Sequence, residues 1–116
     1  MDPFEYESEL EIFPEGEIVF QAGQSGDKMY VVASGTVDVL VGEKVVETVE
    51  ASGIVGEMAL LGTRKRSATA LAKTECRLLP IDEAFFLHLV EQSPRFSLTV
   101  MKIMADRLRR SNNPES

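Results

Sequence analysis

Glycine recurs at short, regular intervals through the first half of the chain, at Gly16, Gly23, Gly26, Gly35, Gly42 and Gly53. Between these turns lie Ile18 to Gln21, Met29 to Ala33, Thr36 to Val41 and Val45 to Val49, rich in residues that suit a pleated, half-buried surface. Apolar and polar residues alternate in Val37-Asp38-Val39-Leu40-Val41 and again in Val45-Val46-Glu47-Thr48-Val49-Glu50. Short strands at this spacing predict an all-β sandwich or barrel rather than βαβ units. Two more strands, Ala68 to Ala72 and Arg77 to Ile81, flank Lys73-Thr74-Glu75.

At Asp82 the apolar period changes from two to near four, which predicts a helix over 82–91 with Asp82 as N-cap and Phe85, Phe86, Leu89 and Val90 on one side. A second helix, 94–110, begins with Ser93 as a cap and Pro94 in its first turn. Phe96, Val100, Ile103, Met104 and Leu108 fall on one stripe, and Arg107, Arg109 and Arg110 complement the dipole at its end. The stripe can serve as core or as a partner surface. The organisation predicted is an acidic, solvated arm over 1–12, a domain over 13–110 with its β part at 16–81, and a disordered tail over 111–116.

The length of 116 residues suits one domain with one core. Apolar residues make up 44% and charged residues 27%, and no apolar run is long enough to cross a bilayer. The N-terminus lacks the basic end and apolar stretch of a signal peptide, so the expected location is cytoplasmic, without membrane insertion. A single cysteine, Cys76, forms no internal disulfide and reads as a small filler in a strand. A single histidine, His88, does not make a zinc site without several carboxylates, so no metal and no metal cofactor is expected. The net charge of −7 argues against a nucleic-acid surface. It does not prevent binding of a small anion, because screening over roughly 8 Å leaves the local charges of Arg64, Lys65 and Arg66 in control.

Those charges belong to the most informative segment, Gly56-Glu57-Met58-Ala59-Leu60-Leu61-Gly62-Thr63-Arg64-Lys65-Arg66-Ser67-Ala68-Thr69. A glycine permits a turn with positive φ, and the next five residues can wind into a short helix whose first N–H groups lack intrahelical acceptors. Such amides attract phosphate. Arg66 can add a forked, charge-assisted pair of hydrogen bonds, and Glu57 can accept from a sugar hydroxyl.

Gly56-Glu57-x-Ala59-Leu60 followed by Arg66-Ser67-Ala68-Thr69 resembles the phosphate-binding cassette of cyclic nucleotide-binding domains, here spanning 55–69. Upstream, Pro14-Glu15-Gly16-Glu17-Ile18-Val19-Phe20-Gln21-Ala22-Gly23, Gly26-Asp27-Lys28-Met29-Tyr30 and Ser34-Gly35-Thr36-Val37 resemble that family's opening strands and turns. The resemblance covers about Phe13 to Arg110. It implies an antiparallel β-roll, jelly-roll-like or a double-stranded β-helix, flanked by α-helices: a mainly β fold with C-terminal helices.

The resemblance also implies roles. Arg66 pairs with the exocyclic phosphate oxygens, and Glu57 accepts from the ribose 2′-hydroxyl. Gly56, Glu57, Met58 and Ala59 make backbone contacts, while Ser67 donates to phosphate or base and Ala68 and Thr69 complete the ligand-binding set. A lid over the base, if carried by these residues, falls to Arg107, Leu108 or Arg110. The implied ligand is cAMP, with cGMP as the other choice, and ligand binding repositions the C-terminal helices for an effector protein to read. The helix-turn-helix, transmembrane and kinase segments that accompany such domains in transcription activators, channels and kinases do not occur in these residues, so the expectation is a stand-alone sensor or a fragment, monomeric or weakly dimeric.

Val55 and Lys65 depart from the family pattern, where phenylalanine and proline are common. The alternative function is therefore a ligand-free structural or protein-interaction domain with a diverged cassette. No enzymatic role is expected: His88 is the single histidine base, no catalytic residues are assigned, and no carboxylate cluster has metal-ligand spacing.

Overall fold

The computed structural model describes residues 2–62 and 65–112. They divide into two compact units, 2–83 and 84–112. The first unit contains strands β1 (Glu11–Phe13), β2 (Ile18–Phe20), β3 (Met29–Ser34), β4 (Val37–Val41), β5 (Lys44–Val49), β6 (Ile54–Val55), β7 (Thr69–Ala72) and β8 (Cys76–Ile81), with the one-turn helix α1 (Glu57–Leu61) between β6 and β7. One sheet has the order β1-β8-β3-β6 and the other β2-β7-β4-β5. Every pairing is antiparallel. The fold is thus the expected antiparallel β-roll followed by helices.

The two-residue period explains the core. Tyr30 and Val32 on β3, Val55 on β6, and Cys76 and Leu78 on β8 meet Val37, Val49, Ala70 and Ala72 from the other sheet in one buried cluster. Phe13, Val19, Phe20 and Val39 pack against it. Small residues on β7 match bulky ones opposite, as dense interdigitation requires. The other face of β3 and β8, carrying Met29, Val31, Leu79 and Ile81, is buried too. Cys76 is buried in β8 with its Sγ 3.2 Å from the Thr36 carbonyl oxygen, in keeping with a filler role.

Two boundaries need correction, and one strand was not predicted. The predicted solvated arm over 1–12 instead holds a 3-10 helix, Pro3–Glu9, capped by Asp2, whose Oδ1 accepts from the Phe4 amide at 2.9 Å. Pro3 is buried, and Arg77 pairs with Glu7 at 3.3 Å and stacks over Phe4. The run of glutamates concealed one-sided burial. The β part begins at Glu11 rather than 16, because β1 pairs with β8 through Glu11, Ile12 and Phe13. The strand not predicted is β6, which pairs Val55 and Ile54 with Tyr30 and Val31; two residues are too few to show alternation.

In the second unit, α2 (Glu83–Gln92) and α3 (Pro94–Asn112) run slightly beyond 82–91 and 94–110. Of the tail over 111–116, residues 111 and 112 are helical, and 113–116 lie outside the described residues. Phe86 and Phe96 meet with ring centroids 5.6 Å apart, joining the helices. Phe96 and Val100 are buried, but Leu108 is 62% exposed and so leaves the predicted stripe. From Val100 the helical steps lead through Ile103 to Arg107, which is half-buried instead. Among the described residues, no helix is long and apolar enough to cross a membrane.

Candidate functional site

Gly56 adopts φ 77° and ψ 15°, the left-handed region that the sequence called for, and α1 starts at the next residue. Its carbonyl oxygen accepts from the Ala59 amide at 3.3 Å and from Arg66 Nη1 at 3.2 Å. One peptide group therefore ties the start of the helix to the arginine ten residues later. Ala59 is buried against the roll and Met58 is exposed, so α1 presents opposite sides to core and solvent.

Glu57 is 6% exposed and Arg66 7%. They are the charged side chains buried among the described residues, and charges stay buried only at sites that compensate their lost hydration. Burial lowers the Arg66 pKa from its ordinary value, while Tyr30 and Asp27 act in the opposite direction and favour its charge. An arginine remains a cation through such a shift.

The backbone of Arg66 is held by the turn between β2 and β3. Its amide donates to the Gln24 carbonyl at 2.8 Å, and its carbonyl accepts from the Gly23 amide at 2.9 Å. Ser25 and Lys65 form an adjoining antiparallel bridge. The Thr69 hydroxyl accepts from the Ala22 amide at 3.0 Å, which gives that side chain a structural contact. The guanidinium lies over the Phe20 ring, with Cζ 4.0 Å from its centroid. A Cβ added to Gly26 would come within 2.3 Å of Arg66 Nε, so this turn glycine leaves the space that the arginine fills.

The structure thus gathers Gly56, Glu57, Ala59 and Arg66 around one short segment. Ser67 is exposed and Ala68 partly so, both just before β7. Arg107, Leu108 and Arg110 lie on α3, in the second unit. Arg64, one of the predicted local charges, lies outside the described residues, as does Thr63. The sequence reading missed Phe20, Gly26 and Tyr30 as parts of the arginine's surroundings. Two glycines three residues apart, Gly23 and Gly26, were the available signal, but nothing in their spacing distinguishes a turn from a close approach.

The domain is thus a β-roll in which a glycine-initiated helical turn carries a buried carboxylate and the segment after it carries a buried guanidinium. The chain belongs to the cyclic nucleotide-binding domain family, whose family model matches residues 10–93. The CRP-like cAMP-activated global transcriptional regulator of Mycobacterium tuberculosis is 30% identical over 108 residues, covering 87% of this chain and 47% of the regulator. A cyclic nucleotide-gated potassium channel of Rhizobium etli is 35% identical over 96 residues, 83% of this chain and 27% of the channel. The crystal structure of Thermus thermophilus catabolite activator protein superposes with a TM-score of 0.77 at 29% identity, covering 90% of this chain and 53% of that one. The chain spans about half or less of the length of the curated relatives it matches.

Proposed function

We propose that this domain is a cyclic nucleotide sensor with a preference for cAMP over cGMP, and that it relays binding to α2 and α3 for an effector protein to read. The observation that carries the reading is the burial of Glu57 and Arg66, the charged side chains buried among the described residues, within one short cassette. Arg66 takes the exocyclic phosphate oxygens, whose charge offsets that of the guanidinium. Glu57 accepts from the 2′-hydroxyl, and the first-turn amides of α1 complete the cradle. Ser67 donates to phosphate, or its hydroxyl oxygen accepts from the guanine amino group when cGMP is bound. The M. tuberculosis relative, described as cAMP-activated, supports the choice of cAMP.

The ligand shifts the helices only to the extent that it binds one of their arrangements more tightly than another. The role is binding rather than turnover, in the cytoplasm, by a monomer or weak dimer. The test is calorimetric titration of unfolded-and-refolded, nucleotide-free protein with cAMP and, separately, cGMP. Micromolar binding is expected, and Arg66→Ala should cost about 1.5–3 kcal/mol, or roughly 10- to 150-fold in affinity. Unchanged affinity in that variant would remove Arg66 from the site. No heat with either nucleotide, in folded protein, would favour the ligand-free interaction domain.

A further inference from the structure

Arg66 is the end of an aromatic column. Phe13 on β1 meets Tyr30 on β3 edge-on, with centroids 6.2 Å apart and ring planes at 89°. Tyr30 stacks on Phe20 of β2 at 6.3 Å and 24°. Phe20 then presents its ring to the Arg66 guanidinium at 4.0 Å. The column links strands of both sheets, and its inner members belong to or pack on the main core cluster, so its last ring is fixed by the fold. Phe20 also reaches the other end of the cassette, since a Cβ added to Gly56 would lie 3.0 Å from its ring.

We propose that Phe20 is a positioning residue for ligand phosphate: its ring holds the Arg66 guanidinium in place before the ligand arrives and so sets affinity. This inference rests on the cyclic nucleotide reading. Arginine has many rotamers, and fixing one of them on binding costs affinity that prior ordering saves. Here the Gly56 carbonyl engages Nη1, Gly26 leaves room beside Nε, Cζ and Nη2, and Phe20 covers the planar cation. The negative face of an aromatic ring attracts a guanidinium and does so more strongly when water is excluded. Leucine would fill comparable apolar space without that field.

The test is calorimetric titration of cAMP into protein carrying phenylalanine, monofluorophenylalanine, trifluorophenylalanine or leucine at position 20. Fluorine withdraws charge from the ring face with little change of shape. Affinity is expected to fall stepwise with fluorination, with Phe20→Leu weakest by about 5- to 30-fold. The Arg66 Nε–H resonance, displaced by the ring current in the parent protein, should return toward its ordinary position in Phe20→Leu. Affinities equal within about twofold across the fluorinated series would overturn the proposal even if leucine binds weakly, because packing alone would then explain the loss. Parent protein that binds neither cAMP nor cGMP would overturn the ligand reading itself, and this failure is distinct from a flat series in a protein that binds.

Discussion

Replacing Gly26 with alanine separates positioning of the arginine from stability of the fold. The added Cβ would stand 2.3 Å from Arg66 Nε, 2.5 Å from Cζ and 2.6 Å from Nη2. Favourable carbon contacts begin near 3.5 Å, so the guanidinium must retreat by roughly 1 Å. The clash falls on the end of a side chain rather than on backbone, and Gly26 does not occupy the left-handed region, so the backbone accepts alanine without strain. Stability should change by no more than about 1 kcal/mol, helped by the lower entropy of the unfolded alanine chain. The displaced fork, by contrast, loses its alignment with the phosphate, while Nη1, which is not among the atoms nearest the added Cβ, can follow the Gly56 carbonyl. A charge-assisted hydrogen bond is worth about 1.5–3 kcal/mol, so cAMP affinity should fall roughly 10- to 150-fold. Calorimetric titration with cAMP, paired with urea denaturation without nucleotide, reads both quantities. The same substitution in an Arg66→Ala background should cost little further affinity, because Gly26 acts through Arg66. Parent-like binding by Gly26→Ala, or an equal loss in both backgrounds, would refute the reasoning.

Glu57→Gln should narrow the preference for cAMP over its 2′-deoxy analogue, which an intact Glu57 should hold at roughly tenfold or more; competition titration of the two nucleotides checks this. Stability should decline in alkali for two identifiable reasons. Burial raises the Cys76 thiol above its ordinary 9.0, and burial raises the Tyr30 phenol above 10.0, assisted by Glu11 and Asp27 and opposed by Arg66. Both groups keep their protons in the native state while the unfolded chain begins to release them, so stability is retained below those ordinary values and lost as pH rises past them. Urea midpoints between pH 8 and about 11 should fall, with Cys76→Ala removing the earlier part of the decline and Tyr30→Phe the later.

Local chemistry made much of this domain readable from its residues. Alternation over five or six residues marked β4 and β5, and the change of period after Asp82 marked α2 and α3. A glycine before a helix-forming run marked the left-handed turn at Gly56 and the single turn of α1, because positive φ is a property of one residue. Glu57 and Arg66 could also be singled out together, since both belong to one short cassette, and they are the charged side chains buried among the described residues. Strands β1 and β6 were not, because three and two residues carry too little pattern, and their strand character comes from partners at Leu78 and Tyr30. Nor do the acidic residues of the N-terminal helix reveal that Pro3 is buried.

An all-β domain with two helices after it was readable in the residues, because these follow from periodicity and local backbone preference, while the β-roll and the roles of Glu57 and Arg66 were implied by resemblance to the cassette family. What surrounds the arginine depends instead on contacts between distant segments. Gly26 resembles every other turn glycine and Phe20 every other strand aromatic until β2, the following turn and the end of the cassette meet. Their roles arise from contacts across some forty residues of chain, where excluded volume and the field of a ring act through space rather than along the sequence.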